Sequence, residues 1–132
     1  MATPLTALII DDEPLARQEL LFLLDAAGDV SVLAQGTNGI EAVELIRTHK
    51  PDVIFLDLSM PVMDGWEFMK EYAEIKSQLG KKISIYVLSS STDASDIDRA
   101  KNISDIADYI FKPVDGQRLT EIFNDLQGIA RQ

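Results

Sequence analysis

Five short apolar runs, separated by stretches of helical length, constrain the fold of this chain more than any other feature. They are LTALII (5–10), VSVLAQ (30–35), DVIFLD (52–57), ISIYVL (83–88) and DYIF (108–111). Their β-branched and aromatic residues are typical of buried strands. Strands that alternate with helices predict a parallel sheet with helices on both faces. The 132 residues contain no internal repeat or Gly/Ser linker, so we expect one α/β domain over residues 1–132.

Helix-start and helix-stop residues stand between the runs. Pro14 occupies a position that a first helical turn tolerates, and Gly28 is a suitable stop for the same helix. Asp64, with Glu67 three residues later, has the spacing of a capping box. The sequence therefore predicts helices that begin near Pro14 and directly after Asp64.

Two other helices show apolar stripes at helical spacing. After a predicted cap at Asn38, we expect Ile40, Val43 and Ile46 to lie on one buried face. The last helix carries a longer stripe of Leu119, Ile122, Phe123, Leu126 and Ile129. We interpret both stripes as core-facing.

The first helix is less regular, because LLFLL (20–24) covers more than one of its faces. Leu20, Leu23 and Leu24 can share the inward side. Leu21 and Phe22 then point elsewhere, and we expect them to pack under a loop or a neighbouring helix. The alternative is an exposed apolar patch that docks a partner.

Polar residues end four of the five predicted strands. The first strand ends in Asp11 and Asp12, the third in Asp57, the fourth in a serine run that begins with Ser89, and the fifth in Lys112. Ligands of parallel α/β sheets bind beyond the carboxyl ends of the strands, so these side chains are expected at one edge. Taken singly, such residues often only start a helix or mark a turn. Their order on successive strands favours a functional site.

Three carboxylates at one edge repel one another and need a compensating cation. Mg²⁺ prefers oxygen ligands, and a lysine from the fifth strand adds a second positive charge. A carboxylate beside a metal and an ammonium suits phosphoryl transfer, in which an aspartate can accept the phosphoryl group as an aspartyl phosphate.

Composition excludes several other classes of protein. The net charge is −10, from 12 basic and 22 acidic residues, whereas a nucleic-acid partner requires a basic face. The chain has no cysteine and one histidine, which disfavours thiolate metal sites and Ser-His-Asp triads. No apolar run is long enough to span a membrane, and the N-terminus lacks a signal-peptide pattern, so we expect a cytoplasmic protein without membrane or direct nucleic-acid contacts.

The sequence resembles the receiver domain of two-component response regulators. The resemblance rests on LIIDDEP (8–14), DVIFLDLSMPVMDGWEF (52–68), YVLSSS (86–91) and ADYIFKPVDG (107–116), whose order and spacing cover nearly the whole chain. It implies the flavodoxin-like receiver fold, a doubly wound five-stranded parallel sheet in the order 2-1-3-4-5 with five helices.

The resemblance also implies roles for the acidic residues. Asp57 matches the phosphoacceptor, and Asp12 matches the direct Mg²⁺ ligand. Asp11 matches an acid that supports the metal indirectly. The backbone carbonyl of Ser59 matches a further metal ligand.

Four more positions match functional residues of receivers. Lys112 matches the lysine that pairs with the phosphoryl oxygens, and Pro113 matches a proline that follows a cis peptide bond. Ser89 matches the hydroxyl residue that moves to the phosphoryl group, although threonine is more frequent there. Tyr109 matches the aromatic residue that changes rotamer with it.

The function implied is a phosphorylation-dependent switch rather than an enzyme, with only self-phosphorylation and self-dephosphorylation as activities. A histidine kinase or a histidine phosphotransfer protein is the expected donor, and the downstream protein is not identified by the sequence. Because few residues follow the last stripe, we expect a stand-alone receiver that acts through protein contacts.

Two alternatives to this function stay open. One is a Mg²⁺-dependent phosphohydrolase with an aspartyl-phosphate intermediate, which Ser59 disfavours because such enzymes usually place a second acid there. The other is the N-terminal part of a longer DNA-binding regulator, suggested by DDEPLARQEL (11–20).

Overall fold

The computed structural model of the protein describes residues 4–28 and 30–130, with side chains as far as residue 126. Within these residues, five strands alternate with five helices. The elements are β1 (Leu5–Ile10), α1 (Pro14–Ala27), β2 (Val30–Gly36), α2 (Gly39–His49), β3 (Val53–Asp57), α3 (Gly65–Leu79), β4 (Ser84–Ser89), α4 (Ala94–Lys101), β5 (Ile106–Phe111) and α5 (Gly116–Ala130).

All strand pairs are parallel, and the sheet order is β2-β1-β3-β4-β5, which confirms the predicted fold. The register of the strands determines which residues lie side by side where the strands end. Ile10 of β1 lies opposite Leu56 of β3, and Asp57 lies opposite Leu88 of β4. The residues that follow Ile10 and Leu88 therefore emerge beside Asp57 at the same edge of the sheet.

The sheet separates two hydrophobic clusters. One lies under α2 and α3 and contains Ile54 and Phe68, and the other lies under α1 and α5 and contains Phe55 and Leu119. Ile54 and Phe55 are neighbours in β3, so they point to opposite faces of the sheet. All five residues of β3 are buried. The strand that carries Asp57 is thus held by packing on both of its sides.

The helix ends follow the predicted signals. α1 begins at Pro14 and ends before Gly28, whose φ of 71° is unfavourable for residues with a side chain. Asp64 and Glu67 form the predicted capping box, because each side chain accepts a hydrogen bond from the backbone N–H of the other. Among the described residues, no helix combines the length and the apolar character that a membrane span requires.

The expectation that Leu21 and Phe22 pack against the protein is wrong. Leu21 is 37% exposed and Phe22 is 72% exposed, as is Leu15 at 79%. α1 buries only one side against the sheet, through Leu20 and Leu24. The outward side of α1 therefore presents apolar side chains to solvent, which is the alternative that the sequence left open.

The predicted buried face of α2 is also partly wrong, because Ile40 is 45% exposed. Ala42 and Ile46 form the buried face, and Val43 is only partly buried. A step of three residues falls short of a full helical turn, so two such steps carry Ile40 out of the buried side.

In α5, the predicted stripe is confirmed for Leu119, Ile122 and Phe123, which are buried. Leu126 is partly buried, and the side chain of Ile129 lies outside the described residues.

Asp52 joins three segments at the amino edge of the sheet. It accepts hydrogen bonds from the backbone N–H of Thr6 at 2.8 Å, the Thr6 hydroxyl at 3.0 Å and the Lys81 ammonium at 2.7 Å. Lys81 also donates to the carbonyl of Lys50 at 3.2 Å. Burial raises the pKa of Asp52, but the hydrogen bonds from Lys81 and Thr6 outweigh burial and hold the pKa below its usual range.

We predict that Asp52→Asn lowers the free energy of unfolding by about 1 kcal/mol near neutral pH. Because the pKa of Asp52 is lower in the folded than in the unfolded protein, its stabilisation is present above about pH 4 and is lost as the pH falls through the folded value. Urea unfolding at neutral pH and at about pH 3 measures the difference. Asp25→Asn on α1 is the control, and an equal loss for Asp52→Asn at both pH values would contradict the prediction.

Candidate functional site

The carboxyl edge of the sheet brings three aspartates together. Asp11 and Asp12 follow β1, and Asp57 is the last residue of β3. One carboxylate oxygen from each of the three lies within 4.8 Å of the others. Asp11 and Asp57 are buried, and Asp12 is more exposed. This arrangement concentrates negative charge at one point that solvent reaches from the side of Asp12.

Lys112 extends from the end of β5 into this acidic cluster. Its Nζ atom lies 2.8 Å from Oδ2 of Asp11 and 3.4 Å from Oδ1 of Asp57. Its backbone N–H donates to the carbonyl of Ser89 at 2.9 Å, which fixes the chain beside the end of β4. The peptide bond between Lys112 and Pro113 is cis. One ammonium group thus bridges carboxylates from two different strands.

The pKa of Asp57 is raised from 3.8 to about 6. Burial is the main cause and the charge of Asp11 is the second, while Lys112 and the backbone N–H of Ser59 oppose them. Lys112 compensates Asp57 incompletely because it lies closer to Asp11. Burial lowers the pKa of Lys112 itself, but Asp11 and Asp57 outweigh burial and raise it. At neutral pH the carboxylate of Asp57 is therefore mostly ionised, and the ammonium of Lys112 is charged.

The start of α1 holds Asp11 in place. Its Oδ1 accepts the backbone N–H of Glu13 at 2.9 Å, and its backbone N–H donates to Gly36 of β2 at 3.0 Å. The Arg17 guanidinium donates to the carbonyl of Asp11 at 2.7 Å. Arg17 was not among the site residues predicted from the sequence. Arg17 lies one turn into a helix that starts at Pro14, and helical side chains point toward the N-terminus of their helix. This position is the sequence signal that its side chain reaches back to the end of β1.

The loop after Asp57 is tightly packed against the strand end. The backbone N–H of Gly65 donates to the carbonyl of Leu58 at 3.0 Å, and a Cβ atom at Gly65 would lie 2.9 Å from the carbonyl oxygen of Asp57. Only glycine fits this close approach without displacement of the backbone. Ser59 is exposed, and its backbone N–H is directed at the carboxylate of Asp57. The role of its carbonyl as a metal ligand stays a prediction.

Val62 is strained at the tip of this loop. It has a φ of 67° and is 75% exposed, and the N–H of Met63 donates to the carbonyl of Pro61 across it at 2.7 Å. A positive φ is rare for a β-branched residue and costs on the order of 1–3 kcal/mol. Nothing in the sequence marked Val62, because glycine is the residue expected at such a position.

The two predicted switch residues meet at a third residue, Ser91. The hydroxyl of Ser89 accepts the backbone N–H of Ser91 at 3.0 Å, and the Tyr109 hydroxyl donates to the carbonyl of Ser91 at 2.9 Å. Ser89 is 7% exposed. The ring of Tyr109 packs edge to face against Phe111, with centroids 5.4 Å apart. Ser89 and Tyr109 are thus linked through the β4–α4 loop.

A cleft of about 460 Å³ opens between the β3–α3 loop and the β4–α4 loop. Its lining includes Ser59, Trp66, Ser90 and Asp96. Trp66 of α3 lies under the guanidinium of Arg99 of α4, with 4.3 Å between the guanidinium carbon and the ring centre. This cation–π contact ties the start of α3 to α4. Ser90 is small, which leaves the cleft open toward the end of β4.

The donor set of the three aspartates fits a hard divalent cation. Carboxylate oxygens are the ligands that Mg²⁺ and Ca²⁺ prefer, and Mg²⁺ needs only one or two of them besides water and a phosphate oxygen. Burial and the charge of Asp11 both raise the pKa of Asp57, and a cation at this place would offset both effects. The site therefore can bind a metal ion.

Comparison with known proteins identifies the family. The profile described as response regulator receiver domain matches residues 7–124. The chain belongs to this family. Receiver domains are a signalling fold of two-component response regulators, so the predicted class of protein is confirmed.

Curated relatives agree with this assignment. An uncharacterized response regulatory protein of Vibrio vulnificus is 38% identical over 127 residues, which cover 96% of this chain and 49% of that protein. The transcriptional regulatory protein BtsR of Salmonella typhi is 33% identical over 121 residues, which cover 91% of this chain and 47% of that protein. The receiver spans about half the length of these relatives. A protein-glutamate methylesterase/protein-glutamine glutaminase of Methanococcoides burtonii matches at 33% identity, but over only 33% of its length.

Solved structures confirm the fold. The REC domain of AraT, a response regulator from Geobacillus stearothermophilus, superposes with a TM-score of 0.80 at 32% identity and covers 97% of this receiver and 96% of that chain. A two-component response regulator from Cytophaga hutchinsonii gives a TM-score of 0.85 at 22% identity, over 95% of this chain and 98% of that one. At 22% identity, the match to the Cytophaga hutchinsonii protein supports only the assignment of the fold.

We predict that Asp57→Asn stabilises the receiver in EDTA above pH 6. Because the pKa of Asp57 is higher in the folded than in the unfolded protein, its ionised form opposes folding above about 6, and this opposition vanishes below the usual pKa. The gain is about 1–3 kcal/mol at slightly alkaline pH and fades as the pH falls to about 4. Urea unfolding over this pH range checks it, with Asp98→Asn on α4 as the control. A less stable Asp57→Asn variant at alkaline pH would contradict the assigned repulsion.

Proposed function

We propose that this receiver is a phosphorylation-dependent switch in which Asp57 accepts a phosphoryl group with the help of Mg²⁺. The observation that carries the proposal is the buried carboxylate of Asp57, which lies 3.4 Å from the Lys112 ammonium and within 4.8 Å of carboxylate oxygens of Asp11 and Asp12. Within the receiver family, a nucleophile, a cation and a metal-binding acid pair at one strand edge have a common use in phosphoryl transfer.

In the proposed reaction, a carboxylate oxygen of Asp57 attacks the phosphorus of a phosphohistidine or a small acyl phosphate. The bond to the leaving group breaks, and the leaving group keeps the electron pair. Asp57 is ready for this attack because its pKa of about 6 leaves it mostly ionised at neutral pH. Asp12 and Asp57, with the carbonyl of Ser59 and indirect support from Asp11, would hold Mg²⁺, which supplies charge neutralisation for the transferred group. Lys112 pairs with the phosphoryl oxygens.

The transferred group adds a charge of about −1.5 to −2 and several strong acceptors. The Ser89 hydroxyl and Lys112 then gain a partner that is absent before phosphorylation. A partner gained in only one state is what shifts an equilibrium between two conformations. Tyr109 reports the shift on the face formed by α4, β5 and α5, where Phe111 is 49% exposed.

A histidine kinase or a histidine phosphotransfer protein is the proposed donor, and the cytoplasm is the proposed compartment. Output passes to a protein partner, either directly from the receiver or through a further domain of a longer regulator, since the curated relatives are about twice as long. A net charge of −10 disfavours direct nucleic-acid contact by the receiver itself. A phosphohydrolase is disfavoured, because Ser59 offers no acid to act as a general acid or base.

We predict that Asp57→Asn abolishes labelling of the receiver by acetyl phosphate in the presence of Mg²⁺, because the amide is not a nucleophile toward phosphorus. Phosphate-affinity electrophoresis or intact-protein mass spectrometry measures the labelled fraction. EDTA should have the same effect on the unchanged protein.

The matched control is Asp64→Asn, which changes an aspartate of the same loop and keeps a residue that caps α3 well. We expect it to be labelled like the unchanged protein. Stoichiometric Mg²⁺-dependent labelling of Asp57→Asn would refute the assignment of the acceptor.

The apolar side of α1 is the proposed docking surface for the donor. α1 starts at Pro14, directly beyond Asp11 and Asp12, so a helix that brings phosphohistidine to Asp57 passes beside it. Its exposed apolar side chains are Leu15, Leu21 and Phe22. Exposed apolar side chains next to a reaction site are typical of protein contacts.

We predict that Leu21→Ser with Phe22→Ser slows phosphotransfer from a donor protein by about tenfold or more, since buried aromatic anchors dominate such contacts. Acetyl phosphate labelling should stay unchanged, because the small donor needs no docking surface. Leu33→Ser on β2, also an exposed apolar residue, serves as the control. Equal loss of both reactions would show that the double substitution acts on the receiver itself and not on docking.

A further inference from the structure

Arg17 binds the main chain beside the three aspartates of the carboxyl edge. Its Nη1 atom donates to the backbone carbonyl of Asp11 at 2.7 Å, and its side chain is half-buried. Among residues 4–28 and 30–126, whose side chains the structure describes, Arg17 forms no ion pair. A guanidinium usually binds a carboxylate through two strong, charge-assisted hydrogen bonds. Here it directs a donor at the backbone next to the carboxylates instead.

The carbonyl that Arg17 holds belongs to the peptide bond between Asp11 and Asp12. This unit is planar, so the direction of the carbonyl also fixes the direction of the Asp12 N–H and of the chain that follows. The neighbouring groups of Asp11 are fixed as well, because its N–H donates to the carbonyl of Gly36 at 3.0 Å and its Oδ1 accepts the N–H of Glu13 at 2.9 Å. The chain is thus held on both sides of this peptide bond, and Arg17 holds the peptide plane between them.

Asp12 depends on this backbone for its position. In the part of the chain that the structure describes, its carboxylate accepts no hydrogen bond and forms no ion pair, whereas the carboxylate of Asp11 binds Lys112 and the N–H of Glu13. One carboxylate oxygen of Asp12 nevertheless lies within 4.8 Å of oxygens of Asp11 and Asp57. The orientation of the peptide bond before Asp12 therefore decides whether its carboxylate reaches the other two.

We propose that Arg17 is a positioning residue of the metal site. Its hydrogen bond to the carbonyl of Asp11 orients the peptide bond so that the carboxylate of Asp12 faces Asp57, and it thereby raises the affinity of the site for a divalent cation. The inference rests on the proposed function, in which Asp12 and Asp57 hold Mg²⁺. Groups that orient a metal ligand without touching the metal commonly change the metal affinity by about tenfold or more. For a single hydrogen bond that acts through the backbone, we expect about two- to tenfold.

The positive charge of Arg17 acts in the opposite direction. A guanidinium beside Asp11 reduces the attraction of the site for a further cation. Part of this charge acts on Glu41 of α2, whose pKa lies below its usual range, chiefly because Thr37 donates hydrogen bonds to it and also because of the charge of Arg17. The two effects have opposite signs when the arginine is removed, because lost orientation weakens cation binding whereas lost charge alone strengthens it.

Four substitutions separate these effects. Arg17→Met removes the donor and the charge and keeps an unbranched side chain that suits a helix. Arg17→Gln is a second variant with the same expected result, because its amide ends short of the carbonyl. Arg17→Lys keeps a charged donor of nearly the same reach. Arg47→Met is the matched control, since Arg47 is an exposed arginine of α2 without a hydrogen bond or an ion pair among the described side chains.

The first measurement is the NMR shift of the carbonyl carbon of Asp11 in EDTA. A carbonyl carbon that loses a hydrogen bond is less deshielded, so its resonance moves upfield. We expect an upfield shift in Arg17→Met and Arg17→Gln, a smaller one in Arg17→Lys and none in Arg47→Met. An unchanged resonance in Arg17→Met and Arg17→Gln would overturn the orienting contact.

The second measurement is the affinity for Mg²⁺ alone, followed through the amide resonances of Asp12 and Asp57 during a titration. We expect the dissociation constant to rise by about two- to tenfold in Arg17→Met and Arg17→Gln, and to stay within about twofold of the unchanged protein in Arg17→Lys. Arg47→Met should bind like the unchanged protein. Urea unfolding in EDTA establishes that each variant is folded under the conditions of the titration.

The outcomes separate this inference from the proposed function. If Arg17→Met and Arg17→Gln bind Mg²⁺ as tightly as the unchanged protein or more tightly, the role of Arg17 is refuted while the metal site stands. If the unchanged protein shows no Mg²⁺-dependent change at Asp12 and Asp57, the metal site of the proposed function is refuted, and the role of Arg17 with it. Weaker binding in both variants, with recovery in Arg17→Lys, is the result that the inference requires.

Discussion

Lys112 extends from the end of β5 to the carboxylates of Asp11 and Asp57. Without its positive charge, the sheet would hold these two negative charges close together with no cation beside them. The register of β1 and β3 places Asp11 and Asp57 side by side, and the ammonium lies 2.8 Å and 3.4 Å from them. Burial and the charge of Asp11 together outweigh this contact at Asp57 and raise its pKa to about 6. This incomplete compensation is the physical basis for the proposals that the site binds a cation and that Asp57 is the phosphoryl acceptor.

The remaining features of the site maintain or exploit this arrangement. Gly65 allows α3 to start against the end of β3, and Arg17 holds the carbonyl of Asp11 at the start of α1. Ser91 of the β4–α4 loop connects Ser89 at the end of β4 to Asp96 of α4.

Much of this architecture was predictable because it depends on local rules. Alternating strands and helices determine the sheet, Asp64 and Glu67 determine the start of α3, and the polar strand ends determine the edge where the site lies. The exposure of Phe22 and Ile40 was not predictable, because apolar composition does not reveal which side of a helix meets the sheet. The bond between Ser91 and Asp96 has no sequence pattern of its own, since it depends on how the loop turns into α4.

Asp57 is proposed as the group that receives the phosphoryl moiety, and chemical mapping of the modified residue tests this proposal most directly. The protein is incubated with acetyl phosphate and Mg²⁺ and then reduced with borohydride, which converts an aspartyl phosphate to homoserine. Peptide mass spectrometry locates the converted residue. If Asp57 is the acceptor, homoserine forms at position 57 in the sample with Mg²⁺ and is absent from the sample with EDTA. Homoserine at another position, or none in either sample, would contradict it.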